Sequence, residues 1–285
     1  MSEPIKSASR LIPISLRRMF SASARPFRQW ETIKSGYNYE LNGNSTAQGL
    51  ESPPSKNDLR KFFDARTEGN GIWKWLHYFD IYDRHFERFR GKEVHILEIG
   101  IYSGGSLEMW RDYFGPKAHI YGMDIEPDCR EYERHGVKIF IGDQEDRKFW
   151  KNFRQQVPAL DIVVDDGGHS PDQQTVTLEE LLPFIRPGGV YMCEDIHGEF
   201  NRFASYVHGL GHKLNRGLQD EKLQLEWNAD SAKLYCSPFQ SAVASIHLYP
   251  FVVVVEKNAT PIETLVSSKH GTQWQPFNPE SKRLR

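Results

Sequence analysis

Two apolar runs of this sequence end abruptly in ionisable side chains whose types could do chemistry together. These side chains are Asp165, Asp166 and His169 after the run 161–164, and Glu194, Asp195 and His197 after the run 189–193. In an open α/β sheet, ligands bind at the carboxyl ends of the strands. Asp166, Glu194 and Asp195 would supply hard oxygen ligands for a divalent cation, with His169 beside them as a base. The pattern predicts chemistry on a hydroxyl group.

Asp165 and His197 are weaker candidates than their neighbours. A carboxylate directly after a strand can cap the next helix, which is one role for Asp165. A histidine in a loop is more often neither a ligand nor a base. We keep Asp165 among the expected cofactor contacts and assign no role to His197.

Upstream residues predict a pocket for a nucleotide-like ligand. A strand ending at Glu98 runs into a turn containing Gly100 and Gly104, and a helix follows. Glycines in such a turn let the backbone approach a ligand closely. Asp124 ends the next strand, about 20 residues beyond the turn, where an acidic side chain can bind ribose hydroxyls.

These residue types favour S-adenosylmethionine over a dinucleotide. The glycines of the turn are separated by three residues, whereas a dinucleotide fingerprint has one between its first two glycines. Glu98 would repel a pyrophosphate but can pair with the ammonium group of an amino acid. Asp143 and Gln144 follow the third strand, where an adenine amino group could be recognised. The competing interpretation is that Glu98 and Asp124 only cap helices or turns.

The elements that must position these residues alternate between strands and helices. Strands are predicted at 94–98, 119–123, 137–141, 161–164 and 189–193, and helices after 106, at 145–157 and at 172–185. This alternation predicts an α/β fold with a doubly wound, parallel sheet. The runs 242–247 and 251–256 predict an antiparallel hairpin that closes the edge of the sheet.

Four regions follow from this organisation: a basic N-terminal extension and linker over 1–56, a helical region over 57–91, the cofactor-binding domain over 92–260, and a C-terminal tail over 261–285. Within the third region, residues 198–235 have helical spacing with scattered Gly and Asn, which suits an insertion or a lid. Trp73, Trp75 and Tyr78 are interpreted as aromatic residues of a core helix, without a functional role.

The composition is that of a globular protein without a global charge signal. Among 285 residues, 39% are hydrophobic and 26% are charged, and the net charge of -2 gives no argument for binding nucleic acid. Cys129, Cys193 and Cys236 are too far apart to predict a disulfide framework or a zinc site. No apolar run approaches the roughly 20 residues that cross a bilayer. We expect a homo-oligomer.

The first 30 residues depart from this even charge balance. They contain six Lys or Arg residues and a single acidic residue, Glu3, among apolar residues and serines. Such a segment is typical of a basic amphipathic arm or a transit peptide, or of a poorly ordered extension that packs on a neighbouring subunit. A cytoplasmic location is expected by default, with an organelle or a membrane surface as the alternative.

From about residue 67 to 257 the sequence resembles class I S-adenosylmethionine-dependent methyltransferases, and most closely the metal-dependent sugar O-methyltransferases of the mycinamicin and macrocin type. The motifs that carry the resemblance are Leu97-Glu98-Ile99-Gly100, Gly104-Gly105-Ser106, Gly122-Met123-Asp124, Gly142-Asp143-Gln144, the segment 165–170, Arg186-Pro187-Gly188-Gly189 and Glu194-Asp195. The resemblance implies a Rossmann-like, mostly parallel seven-stranded sheet with a C-terminal antiparallel hairpin.

The resemblance also implies roles for the matching positions. Asp166, Glu194 and Asp195 are expected to bind magnesium, and His169 is expected to be the general base. The expected cofactor contacts are Glu98, Gly100, Gly104, Ser106, Asp124, Asp143, Gln144 and Asp165. One departure is Ile101-Tyr102, where a methyltransferase turn often has another glycine.

The expected activity is S-adenosylmethionine-dependent, Mg²⁺-dependent methylation of a hydroxyl on a sugar or glycoside. Chelation of two vicinal hydroxyls by Mg²⁺ would lower their pKa, and His169 would take the proton. The expected partner is a small molecule or glycan with vicinal hydroxyls. Two alternatives stay open: a catechol-type phenol O-methyltransferase, because vicinal phenolic oxygens chelate the same metal, and a non-catalytic cofactor-binding or scaffold protein.

Overall fold

The computed structural model describes residues 30–40, 57–134, 136–216, 225–227 and 231–271 of the chain. Contacts divide the chain into two units, Met1–Pro53 and Pro54–Arg285. In the first unit, residues 30–37 form a helix (α1) with exposed side chains. The basic arm predicted over residues 1–30 lies outside the described residues except for its last residue. Helix α1 thus lies within the region 1–56 that was predicted as extension and linker.

The second unit contains a seven-stranded sheet with the strand order β3-β2-β1-β4-β5-β9-β8. The strands of the described residues are β1 (Val94–Ile99), β2 (Ala118–Asp124), β3 (Val137–Ile141), β4 (Leu160–Asp165), β5 (Ile185–Cys193), β6 (Leu225–Trp227), β7 (Ser231–Tyr235), β8 (Val243–Tyr249), β9 (Val252–Lys257) and β10 (Thr264–Ser268). Strands β1 to β5 pair in parallel, whereas β9 pairs antiparallel with both β5 and β8. The predicted fold class and the predicted closing hairpin are confirmed.

Helices connect and cover these strands. They are α2 (Asp58–Ala65), α3 (Tyr78–Phe86), α4 (Gly105–Phe114), α5 (Arg147–Phe153), α6 (Pro171–Leu181), α7 (Arg202–Leu214) and α8 (Pro238–Ala242). In five of them, the side chain of the N-cap residue accepts hydrogen bonds from backbone N–H groups of the first turn. These N-cap residues are Asn57, Asp146, Ser170, Asn201 and Ser237. Such caps satisfy backbone N–H groups that have no partner inside the helix, and so they fix where each helix starts. No described helix is both long and apolar enough to cross a membrane.

The sheet separates two apolar layers. Alternate residues of β1 point to opposite faces, so Ile96 packs with the layer that contains Trp110, and Leu97 with the layer that contains Trp150. Every residue of β1 is buried. Burial on both faces explains why the parallel strands read as continuous apolar runs rather than as alternating ones.

Three regions differ from the sequence predictions. Within the region 198–235, α7 ends at Leu214, and the described residues beyond it include β6 and β7. Strand β10 lies in the predicted tail and pairs antiparallel with β7, which makes a second, three-stranded sheet. Strand β5 begins at Ile185, four residues before the predicted strand at 189–193, and its pairing with β4 shifts register between Leu160 and Ile162.

Candidate active site

A cavity of about 830 Å³ opens at the carboxyl edge of β1, β2, β4 and β5. This volume is typical of a site for a small molecule or cofactor. Of the residues predicted for the site, eight line the cavity: Gly100, Asp124, Asp143, Gln144, Asp166, His169, Glu194 and Asp195. Four others are not among the lining residues: Glu98, Gly104, Ser106 and Asp165. The topology therefore brings most of the predicted residues together.

Asp166, His169 and Asp195 form a group with a ligand atom from each within 4.8 Å of the others. His169 Nε2 lies 3.8 Å from Asp195 Oδ2, and the histidine side chain is 39% exposed, so it is open to a bound molecule. Asp166 follows β4, where its backbone N–H donates to the carbonyl of Ile99 on β1. Two carboxylates and an imidazole on the same wall of the cavity can bind a hard cation or accept a proton.

Glu194, the third predicted metal ligand, lines the cavity but lies beside Tyr82 and Lys74, outside the group of Asp166, His169 and Asp195. Its side chain is fully buried, and its Oε1 accepts a hydrogen bond of 2.6 Å from the Tyr82 hydroxyl. Burial raises the pKa of Glu194 to about 8, and the nearby Lys74 ammonium opposes that rise. Its Oε2 lies 3.0 Å from Lys74 Nζ.

Lys74 is the functional candidate that sequence reasoning missed. Its Nζ lies 2.5 Å from Asp166 Oδ2 and 3.7 Å from Glu98 Oε1, in addition to its contact with Glu194. Burial disfavours its charge, but the surrounding carboxylates outweigh burial and raise the pKa of Lys74 well above its ordinary value. A buried lysine needs carboxylate partners, but those of Lys74 are distant in the sequence, so no local signal marked it.

Trp75 and Tyr78 also contact the site. Tyr78 is a buried core residue of α3, as interpreted from the sequence, whereas Trp75 is neither buried nor helical. Trp75 Nε1 donates to Asp195 Oδ1 at 3.1 Å, and the Tyr78 hydroxyl donates to the same oxygen at 2.6 Å. Trp73 and Trp75 lie in the segment before α3 rather than on a helix, and both are exposed. This segment closes one side of the cavity and orients Asp195.

On the part of the cavity wall that contains Gly100, Asp124 stabilises the glycine-containing turn after β1. Its Oδ2 accepts hydrogen bonds from the backbone N–H groups of Ile101 and Tyr102, at 3.0 and 3.1 Å. Asp143 is exposed at the end of β3, where its Oδ1 accepts from the N–H of Glu145. Both carboxylates therefore combine a local structural bond with a position on the cavity wall.

Glu98 and Ser106 lie behind the cavity. The Ser106 hydroxyl donates to Glu98 Oε2 at 2.7 Å, while the buried Glu98 Oε1 makes no close hydrogen bond. Gly104 adopts a positive φ of 72° before α4, and a Cβ there would meet the ring of Tyr132 at 2.7 Å. Ser106 and Gly104 thus stabilise the turn between β1 and α4 without lining the cavity.

Asp165 and Gln144 form a buried network instead of presenting both side chains to the cavity. Asp165 accepts from Gln144 Nε2 at 3.1 Å and from the Tyr191 hydroxyl at 2.8 Å, and burial raises its pKa to about 7. Gln144 Oε1 in turn accepts from the N–H of Gly168 at 2.6 Å. The network fixes the turn that carries Asp166 and His169.

Strained backbone is concentrated around the cavity. Within the part of the chain that the structure describes, five residues other than glycine have a positive φ: Tyr102, His169, Asp195, Phe200 and Phe251. Three of them line the cavity. Phe251 packs on Trp75 and His197, with ring centroids 5.5 and 4.7 Å apart, and both partners line the cavity. Strain of this kind is typical of functional sites.

Comparison with known proteins gives this geometry a context. Residues 97–196 match the family model described as a methyltransferase domain. Demethylmacrocin O-methyltransferase of Streptomyces fradiae is 36% identical over 156 residues, which are 52% of this chain and 38% of that protein. The 8-demethyl-8-(2-methoxy-alpha-L-rhamnosyl)-tetracenomycin-C 3'-O-methyltransferase of Streptomyces olivaceus is 30% identical over 213 residues, 66% of this chain and 50% of that protein.

A solved structure is similar over a larger part of the chain. MycE methyltransferase from the mycinamycin biosynthetic pathway, in complex with Mg, SAH and mycinamycin VI, matches with a TM-score of 0.59 and 25% identity. The match covers 80% of this chain and 58% of MycE. The chain thus spans half or less of the two curated relatives and somewhat over half of MycE. Residues 97–196 therefore resemble a methyltransferase domain, and the predicted resemblance to macrolide-sugar O-methyltransferases is confirmed.

Proposed function

We propose that this protein is an S-adenosylmethionine-dependent, Mg²⁺-dependent O-methyltransferase that acts on a hydroxyl of a sugar or glycoside, with His169 as the general base. The observation that carries the proposal is the convergence of Asp166, His169 and Asp195 within one cavity at the carboxyl edge of the sheet. A cation site and a base in the same wall suit the deprotonation of a chelated hydroxyl.

The relatives support the reaction and the class of acceptor. The two curated relatives are both O-methyltransferases, and the name of the second specifies a rhamnosyl-bearing tetracenomycin. MycE was solved with Mg, SAH and mycinamycin VI together. We therefore place the acceptor among small molecules or glycans that carry vicinal hydroxyls.

The charge of the cavity supports a cationic cofactor and a metal ion. Lys74 is the single Lys or Arg in the described lining of the cavity, against eight carboxylates. These are Asp124, Glu126, Asp128, Glu131, Asp143, Asp166, Glu194 and Asp195. Such a lining repels phosphates and attracts positive groups. S-adenosylmethionine supplies a methyl group that is already activated on a sulfonium. Asp124 and Asp143 would hold its adenosine, and the backbone at Gly100 would allow its close approach.

Asp166, Glu194 and Asp195 would hold the metal ion. Lys74 Nζ bridges Asp166 and Glu194 at 2.5 and 3.0 Å, so these two oxygens already accommodate a positive charge, and carboxylate oxygens suit a hard cation. When bound, Mg²⁺ would lower the pKa of a chelated hydroxyl. Trp75 and Tyr78 fix the carboxylate of Asp195 through its Oδ1.

His169 would accept the proton of the acceptor hydroxyl. Its side chain faces the cavity, and its Nε2 lies 3.8 Å from Asp195 Oδ2, whose negative charge would stabilise the imidazolium that forms. The positive φ of 58° at His169 and the cap at Ser170 hold the side chain at the start of α6.

Calorimetry and labelled methyl transfer test this proposal. S-adenosylmethionine should bind, NAD should not, and label should pass to glycosides in the presence of Mg²⁺ rather than to catechols. His169→Ala should reduce transfer by at least about 100-fold with unchanged cofactor affinity, and His208→Ala on α7 is the matched control. Asp166→Asn should remove both the Mg²⁺ dependence and the activity, whereas Asp172→Asn should not.

Three results would contradict the proposal. Full activity in excess chelator would exclude the metal. Transfer to catechols alone would replace the acceptor class. Binding of neither cofactor would favour the scaffold interpretation.

A further inference from the structure

Lys74 lies where the predicted metal ligands meet. It belongs to the segment between α2 and α3, and its side chain is only 4% exposed. Its ammonium contacts Asp166 Oδ2 at 2.5 Å and Glu194 Oε2 at 3.0 Å. Asp166 lies after β4 and Glu194 after β5, so a single side chain neutralises carboxylates from the ends of two neighbouring strands.

A lysine ammonium and a divalent cation would compete for these oxygens. Mg²⁺ binds carboxylate oxygens at 2.0–2.1 Å. An ion on Asp166 and Glu194 would therefore lie within a few ångströms of Nζ, where two positive charges repel each other strongly in a partly buried site. Binding of the ion requires either that Nζ moves or that the affinity of the site is low.

Glu98 offers the ammonium a second position. Its Oε1 is completely buried, makes no close hydrogen bond, and lies 3.7 Å from Lys74 Nζ, with the indole N–H of Trp110 as another nearby donor. A buried carboxylate oxygen without a close hydrogen bond is costly, so a donor is favoured there. A shift of about 1 Å would bring Nζ into hydrogen-bond range of Glu98 Oε1.

We propose that Lys74 is a resident cation with two positions: it holds Asp166 and Glu194 together before the metal ion binds, and it moves from Asp166 to Glu98 Oε1 when the ion binds. This inference rests on the proposed function, because it needs a metal ion at Asp166. Lys74 is a positioning residue in this scheme, since it touches the ligands of the ion. Because Glu98 lies on β1 just before the turn at Gly100, Lys74 would also connect the proposed metal ligands to that turn.

Metal binding to the whole protein tests the inference. Mn²⁺ and Mg²⁺ are titrated calorimetrically into the wild type, Lys74→Met, Lys74→Arg and the exposed control Lys148→Met. Removing the competing charge should tighten metal binding in Lys74→Met by about tenfold or more. Lys74→Arg keeps the charge and should bind metal no more tightly than the wild type. Equal dissociation constants in the wild type and Lys74→Met would overturn the inference.

The same titrations separate this inference from the proposed function. Metal binding by Lys74→Met but not by the wild type would support a competing Lys74 while removing the metal from the proposed function. Absence of binding in every variant would refute both. Binding by the wild type with no effect of Lys74→Met would leave the proposed function intact and refute only the role of Lys74.

A crystal structure of the wild type with Mn²⁺ provides a test that does not depend on folding of a variant. We expect Nζ beyond the hydrogen-bond range of about 3.2 Å from Asp166 Oδ2 and within that range of Glu98 Oε1. Manganese bound to Asp166 with Nζ still in its present position would overturn the two-position scheme.

Discussion

At the scale of single residues, Gly100 joins the two halves of the site. It has a positive φ of 80°, and a Cβ at this position would lie 2.1 Å from the carbonyl oxygen of Asp166. The close approach is reinforced by the hydrogen bond from Asp166 N–H to Ile99. The cofactor turn after β1 and the turn that carries Asp166 therefore touch through a position where only glycine fits.

Gly100→Ala should accordingly damage both stability and metal binding. We expect a loss of about 2–3 kcal/mol in the free energy of unfolding, from backbone strain and the displaced Asp166 carbonyl, and a weaker affinity for Mn²⁺. Urea unfolding and calorimetry measure the two quantities. Gly209→Ala in α7, where a Cβ meets nothing within 4 Å, is the control and should be neutral or stabilising. Wild-type metal affinity in Gly100→Ala would contradict the close-approach argument.

At the scale of elements, the start of α6 positions His169. Ser170 caps this helix, and it forms a capping box in which its side chain accepts from the N–H of Gln173 and Gln173 Oε1 accepts from the N–H of Ser170. His169 directly precedes the cap. The direction in which the chain enters α6 therefore determines where the imidazole lies.

Ser170→Ala should cost about 1 kcal/mol of stability and also lower turnover, because the entry into α6 becomes less defined. Ser237→Ala is a close control, since Ser237 makes the same capping box at α8 and does not line the cavity. It should lose similar stability with unchanged turnover. Thermal unfolding and initial rates are the measurements, and equal turnover in the two variants would refute the positioning role.

At the scale of the whole molecule, Glu256 attaches the helical region over 57–91 to strand β9 of the sheet. It lies on β9 and pairs with His85 of α3 at 3.0 Å and with Arg88 at 2.8 Å. Burial acts to raise the pKa of Glu256, but these two partners outweigh it and lower the pKa to about 2. Since α3 also carries Tyr78 and Tyr82, this attachment supports the wall that holds Asp195 and Glu194.

Stability should therefore depend on pH through Glu256. A carboxyl whose pKa is lower in the folded than in the unfolded protein stabilises the fold fully above its unfolded pKa, and this contribution is lost as pH falls towards 2. Compared with Glu256→Gln, the wild type should be more stable by about 2 kcal/mol at pH 7, with the difference shrinking below about pH 4. Urea unfolding across this range measures it, and a difference independent of pH would contradict the assignment.

The sequence was sufficient for the parallel sheet and for the edge where the site lies, because strand ends follow directly from the alternation of elements. It gave Glu194 and Asp195 the same role, whereas the structure places Glu194 against Tyr82 and Lys74 and Asp195 beside His169. Lys74 escaped prediction because its partners are 92 and 120 residues away, in a contact that no local pattern encodes. Strand β10 escaped in the same way, since it pairs with β7 and not with β9, the strand before it in the sequence.

The strained residues around the cavity have a consequence for anyone who evolves this protein. A left-handed backbone at a residue other than glycine costs about 1 kcal/mol or more, so glycine or asparagine at His169, Asp195 or Phe251 would relieve part of it. A selection for heat resistance alone would reward such replacements. It would therefore first remove the imidazole of His169, the carboxylate of Asp195 or the aromatic ring of Phe251. The result would be a more stable protein without the side chains on which the proposed activity depends.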